Sequence, residues 1–415
     1  MTPVRQSRDF RLIALGQIVS SLGSQAALVA LPYQIFVISH SVTLVGLLGA
    51  FELGPMIVVS LVGGAVADRR DRRPVLAAAQ VGVMTVTTAL FLISLLGHPV
   101  VWVILILGGV LAGCSSLDGV ARGSIVPGVL GPELLRPGLA FNYGTQQAAS
   151  IVGPAVGGLL IPLTGVKGIY LLDAISCVGM LWAALAIAPQ PPLGVEKHPP
   201  VFHSIAEGLR FVVANRALAG SFVIDINAMM FGMPRALFAA LALDVYHAGA
   251  SGTGLLYAAI AVGGTVAVLT SRWVQDVNRL GRVTIVMVLI WGAAIGGTGL
   301  VRTIVPAAIL LAVAGWADGI SAVCRSTISQ TVTPDRLRGR MSAVFSLVVT
   351  SGPRLGDMES GLVAGLIGTL NSILVGGLGC IIGVGVTAVA FPQLARYRAD
   401  AAMEEVRREN AAYAS

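Results

Sequence analysis

Leu117-Asp118-Gly119-Val120-Ala121-Arg122 and Ala317-Asp318-Gly319-Ile320-Ser321-Ala322-Val323-Cys324-Arg325 sit in two apolar runs in different halves of the chain. The first is followed by Pro132, Leu135 and Arg136, the second by Pro334, Leu337 and Arg338, an offset of 200 to 203 residues. Further on, Gly153-Pro154 is matched by Gly352-Pro353 at an offset of 199. A charged signature that recurs at nearly constant spacing in two greasy contexts marks an internally duplicated chain.

Around these anchors the sequence is almost continuously apolar. Of 415 residues, 55% are hydrophobic and 11% charged, against about 25% charged in an average soluble domain. About 20 apolar residues span a bilayer. Twelve such runs are expected: 12–38, 43–66, 75–96, 100–126, 140–163, 168–188, 217–243, 252–274, 283–301, 304–330, 342–367 and 370–391. In lipid the backbone must satisfy its own hydrogen bonds, so runs of this length predict helices. Strands of about ten alternating residues, as a barrel requires, are not seen. The first run is too long for a signal-peptide core and reads as a retained span. The expected fold is an all-α membrane protein with twelve transmembrane helices in two pseudo-twofold-related six-helix bundles. Residues 1–188 form the first bundle, 189–216 a cytoplasmic linker, 217–391 the second bundle and 392–415 a cytoplasmic tail. Within the linker, Ile205, Leu209, Val212 and Val213 share about one helical face, which predicts an amphipathic helix at the membrane surface.

Charge orients the chain. Of 27 basic residues, Arg122, Arg235, Arg325 and Arg354 fall well inside runs, Arg272 falls at the edge of the run 252–274 on the N-terminal side of the membrane, and Lys167 and Arg302 fall in loops opposite the N-terminus. With Arg272 included, 21 share the side of the N-terminus, so the positive-inside rule predicts cytoplasmic termini in a multi-pass inner-membrane protein. The net charge of +7 therefore faces anionic lipid and is no sign of nucleic-acid binding. Cys114, Cys177, Cys324 and Cys380 lie singly in apolar runs, and the five histidines fall in loops without ligand spacing, so neither a metal nor a cofactor is expected. The two lysines, Lys167 and Lys197, have no Walker A context, which excludes a nucleotide-driven pump. No intramembrane Ser/His or paired-aspartate site points to an enzyme. The chain is expected to work as a monomer.

The loop after the second run reads Gly64-Ala65-Val66-Ala67-Asp68-Arg69-Arg70-Asp71-Arg72-Arg73. It resembles the GxxxDRxxRR cytoplasmic signature of the major facilitator superfamily, whose two parallel six-helix repeats fit the duplication above. The resemblance implies a cytoplasmic gate built on Gly64, Asp68, Arg72 and Asp118. The corresponding loop of the second half, with Asp276, Arg279 and Arg282, departs from the signature. Gly153-Pro154-Ala155-Val156-Gly157-Gly158 resembles the GPxxGG core of the superfamily's antiporter motif, so Gly153, Pro154, Gly157 and Gly158 are candidates for that role. Its upstream glycines are Ala140 and Ala149 here. Arg8-Asp9-Phe10-Arg11, Glu207-Gly208-Leu209-Arg210-Phe211 and Thr333-Pro334-Asp335-Arg336-Leu337-Arg338-Gly339-Arg340 extend the likeness over the whole chain. They are similar to the enterobactin-exporter-like and macrolide-efflux-like branch. That branch implies proton-driven export of a siderophore or amphipathic small molecule; an importer or uniporter on the same fold is the alternative.

Ionisable residues deep in a bilayer cost roughly 2.5–3.5 kcal/mol on insertion scales and need a reason. Glu52, Asp225, Asp357 and Glu359 are the candidates for proton coupling, and Arg235 and Arg354 for lining the substrate cavity. Arg354 and Asp357 are spaced i,i+3 and are expected to pair. One proton crossing about 150 mV releases roughly 3.5 kcal/mol. At about 1.4 kcal/mol per tenfold, that sustains a gradient of roughly 300-fold.

Overall fold

The computed structural model describes residues 3–69, 71–97, 99–190, 201–334 and 337–404. Within them the chain is helical, with no strand. A short α1 (Pro3–Gln6) leads into α2 (Arg8–Ser39), α3 (Val42–Arg69), α4 (Arg72–Leu95), α5 (Val101–Val129) and α6 (Pro132–Ala186). After α7 (Val201–Ala214) come α8 (Arg216–Phe231), a one-turn α9 (Phe238–Ala240), α10 (Gly249–Thr270) and α11 (Leu280–Thr298). The chain continues through α12 (Ile304–Val332), α13 (Arg338–Ile367), α14 (Thr369–Ala390) and α15 (Pro392–Arg396). Among the described residues, ten helical segments are long and apolar enough to cross a membrane. Many carry apolar side chains outward, Leu163, Leu269, Leu366 and Val389 among them. Such a surface is stable only against hydrocarbon.

One run differs from expectation. The runs 140–163 and 168–188 form two helices, both within α6, that meet at a kink where Gly165 has the non-helical φ 71° and ψ 176°. Only glycine takes that conformation without steric cost. The run 217–243, expected as one helix, is broken. α8 ends at Phe231, Gly232-Met233-Pro234 is not helical, and a 3-10 turn (Arg235–Leu237) begins the next limb. Pro234 lacks the N–H that the helix would need there.

The chain forms two compact units, residues 1–198 with 238–258, and residues 199–237 with 259–415. In the first, Ile13, Leu76, Ile125 and Met180 are fully buried together and tie α2, α4, α5 and α6 into one core. In the second, glycines bring backbones into contact. A Cβ on Gly263 of α10 would strike the carbonyl of Ala312, and one on Gly315 of α12 the carbonyl of Ile260. Close approach of this kind replaces the hydrophobic driving force that lipid cannot supply. α7 docks on α13 of the same unit through Val212, buried with Leu218, Phe222, Met341 and Val344, and through an ion pair between Glu207 and Arg340. Leu209 and Val213 point outward. Residues 191–200 of the expected linker lie outside the described residues.

Helix ends are capped locally. Ser7 accepts from Phe10 N–H at 3.2 Å, and Asn215 from Leu218 N–H at 3.0 Å. Asp71 Oδ1 accepts from the N–H groups of Arg73 at 3.0 Å and Gln190 at 3.2 Å. Partial burial pulls the Asp71 carboxyl upward. The Arg73 side chain, those two N–H groups and the Arg73 charge outweigh it and hold the group below the usual carboxylate range. A depressed acid stabilises the fold above its unfolded pKa, about 3.9, and loses that effect as pH falls through its folded value. Asp71→Ala is therefore expected to lower stability by about 0.5–2 kcal/mol at neutral pH, as cap removal does. Melting curves at falling pH should show the gap to wild type closing below about pH 3.9.

Candidate functional site

The expected gate residues fall in the first unit. Arg72 opens α4, is 8% exposed, and donates from Nη1 to the Ser124 carbonyl at 3.0 Å. Asp118 on α5 does not meet it. Asp118 pairs with Arg122 one turn on, at 2.5 Å, and accepts from Gln80 Nε2 at 2.6 Å. Arg72 and Asp118 are thus each engaged, with different partners. Only the backbone of Asp68 is among the described residues. A Cβ on Gly64, where a glycine of the gate would admit a neighbouring helix, would meet nothing described within 4 Å. Its neighbour Gly63 takes that part and packs on Leu117 of α5. Glu52, the other expected acid of this unit, is half-buried on α3, one turn before Pro55. There α5 approaches closely: Cβ atoms on Gly109 and Gly113 would contact Phe51, Pro55 and Val59.

The glycines of the Gly153–Gly158 stretch serve two neighbours. Gly153 and Gly157, one turn apart, face Gln25 and Ala26 of α2. Gly158 faces α10: a Cβ on it would lie 2.9 Å from Gly254 Cα and 3.1 Å from the Ala250 carbonyl. Ser251 Oγ donates to the Gly158 carbonyl at 3.1 Å across the same seam.

Two charge groups of the second unit involve the expected residues. Arg325 of α12, 4% exposed, stands 2.9 Å from Asp225 of α8 and 3.4 Å from Asp318 one face along its own helix. Asp225 is therefore an ion-pair partner across helices. In the other group, Asp357 of α13 lies beside the break in the 217–243 run. Its Oδ1 accepts from Ala236 N–H at 3.0 Å, and Oδ2 lies 4.0 Å from Arg235 Nη2. The break creates new unpaired N–H groups, as any helix start does, and Asp357 caps one of them. Arg354, one turn earlier, also acts electrostatically on Asp357. The expected i,i+3 pair is thus joined by Arg235 from another segment. Glu359 is half-buried two residues on, with no hydrogen-bonding partner among the described residues. No group of His, Cys, Asp and Glu among the described residues is arranged to hold a metal.

Sequence reading passes over one buried acid. Asp173 is the lone acid of the run 168–188 and is 1% exposed. Its position as a single charge in an apolar run was the available signal.

A family model described as "Transmembrane secretion effector" matches residues 1–410. The chain belongs to that family. Transmembrane secretion effectors of this kind are major facilitator transporters, and the chain is a multi-pass membrane transporter. It is 30% identical over 390 residues to the enterobactin exporter EntS of Shigella boydii serotype 4, covering 94% of this chain and 93% of the relative. The same identity and coverage relate it to EntS of Citrobacter koseri. The fold matches the nucleoside transporter NupG at a TM-score of 0.76 and 11% identity, over 92% of this chain and 100% of NupG. At that identity the likeness speaks for the fold alone.

Proposed function

We propose that this chain exports an anionic or amphipathic small molecule of siderophore type across the inner membrane in exchange for protons. It has both termini in the cytoplasm and alternates between conformations open to either face. The observation that carries this reading is the full-length 30% identity to enterobactin exporters. Counting α6 as two spans at Gly165 and adding the more polar α13 to the ten apolar segments gives twelve crossings. The bundles then run over 1–188 and 217–391. Arg235 and Arg354, which both act on Asp357, are the cations of this membrane-embedded site, and a catecholate or carboxylate is the chemistry they would meet. Acids at Glu52 and Glu359 supply groups able to take and release a proton. The Gly153–Gly158 stretch and the Arg72–Asp118 region act as the moving contacts.

Cells lacking their own siderophore exporter test it. Expression of this chain is expected to restore enterobactin secretion, and an uncoupler is expected to abolish it. In Glu52→Gln, secretion is expected to fall about tenfold, equivalent to about 1.4 kcal/mol on the barrier to transport. Secretion unaffected by the uncoupler would remove the proton from the scheme. Enterobactin accumulating inside the cell would favour import instead.

A further inference from the structure

Asp173 has no part in the scheme above. It stands on the limb of α6 after Gly165, and its environment in the first unit is unusually bare of counter-charge. Ser24 Oγ of α2 donates to Asp173 Oδ1 at 3.1 Å. The other carboxyl oxygen, Oδ2, is buried and has no hydrogen-bond partner. The nearby Ser176 hydroxyl donates to the Asp173 main-chain carbonyl at 2.7 Å. The two helices touch at this level, since a Cβ on Gly23 would stand 2.9 Å from Asp173 Cα.

The groups around it are quickly named. α2 contributes Ser24 and the close approach of Gly23, and carries no charged residue from Leu12 to Ser39. α5 contributes Asp118, a like charge, and Arg122, which is held by Asp118. α4 contributes Gln80, also committed to Asp118. The same limb of α6 carries Cys177. Among the described residues no cation faces Asp173. An ionised carboxylate so placed bears the full cost of desolvation, whereas the neutral acid leaves only one hydrogen bond unmade.

Access is the second part of the observation. Ser24 is exposed although Asp173 is not. It is the seventeenth of the 32 residues of α2 and so lies near its middle. It lies on the opposite side of α2 from the exposed Leu15, nine residues or two and a half turns earlier, and shares its face with Leu28, which is 36% exposed. A buried acid is thus one hydrogen bond from an accessible hydroxyl at mid-helix.

We infer that Asp173 is a proton-binding site of the N-terminal half, occupied in the conformation described here, with the Ser24 hydroxyl as the relay to the accessible side of α2. Loading adds one proton to Oδ2 and discharges the carboxylate. Unloading requires the carboxyl to turn so that its protonated oxygen faces Ser24; Ser24 Oγ then takes that proton while giving its own to water, and the hydroxyl donates to the anion that is left. The binding step is independent of what is transported. Its link to export rests on the function proposed above.

Infrared titration of the purified full-length protein in lipid nanodiscs reads the site without any substrate. A protonated-carboxyl C=O band is expected at neutral pH, lost on alkaline titration and missing from Asp173→Asn. Ser24→Ala should keep the band but move it to higher wavenumber, because a donor to that C=O is gone. Asp173→Glu should retain a titrating band, and size-exclusion profiles check that the variants stay folded. Spectra of Asp173→Asn identical to wild type would overturn the proposal. So would displacement of the band by sodium at constant pH, which would make this a metal-cation site. In proteoliposomes with enterobactin as probe, Asp173→Asn is expected to lose proton-driven transport at least tenfold while keeping exchange at equal concentrations. A titrating band without enterobactin movement in any variant keeps the proton site and removes the substrate assignment.

Discussion

Arg325→Ala is expected to destabilise the protein by about 3–5 kcal/mol, the usual cost of breaking a buried ion pair from one side. Arg325 and Asp225 are both about 4% exposed, and Asp318 stands at 3.4 Å from the same guanidinium. Removing the cation leaves the Asp225 carboxylate with little water to screen it, next to the more exposed Asp318. Asp225→Asn alone should cost less, because Asp318 still engages Arg325. The double variant Asp225→Asn, Arg325→Gln should recover much of the loss, since neutral amides can bond where charges cannot remain unpaired. Thermal inactivation followed by size-exclusion in detergent reads all three. A single variant within about 1 kcal/mol of wild type would show that the triad is solvated in a way its burial does not indicate. Asp225→Asn that keeps uncoupler-sensitive secretion would assign this acid to structure and leave coupling to others.

Gly158→Leu should reduce export at least tenfold. The α6–α10 seam is a backbone-to-backbone contact: a Cβ on Gly254 would lie 2.5 Å from the Pro154 carbonyl, and one on Gly158 2.9 Å from Gly254 Cα. No rotamer of leucine avoids that clash, because the Cβ itself meets main chain. Overpacking costs about 1–3 kcal/mol, which is roughly ten- to hundred-fold against the packed arrangement. Gly158→Ala should give an intermediate effect. Ser251→Ala, which loses only a hydrogen bond, should cost about 0.5–1.5 kcal/mol. Secretion rates normalised to membrane protein level provide the measurement. Wild-type export from Gly158→Leu would mean that this seam is not required during the cycle.

Much of this architecture could be read before any coordinates. Apolar runs bounded by short polar loops predict helices because lipid leaves the backbone no other partner. The Asp118 and Asp318 signatures betray the duplication because both halves keep an acid and an arginine on one helix. What could not be read was pairing between helices. Asp225 and Arg325 are a hundred residues apart, and nothing local in either segment points to the other. The break at Gly232–Pro234 was concealed by continuous hydropathy, although Pro234 was a visible cue. Asp357 looked like an i,i+3 partner of Arg354. Its role as a cap for Ala236 depends on that break, so missing one meant missing the other. Asp118 and Arg72 match the signature by residue type, yet their partners here are Arg122 and Ser124, which the spacing alone does not disclose.

The single bend at Gly165 has a practical corollary. A hairpin one residue long offers a protease no extended ribbon to grip and an inserted epitope no slack to occupy. Lengthening the turn would uncouple two rods that must now tilt as one. A reporter spliced after Gly165 should therefore jam the machine.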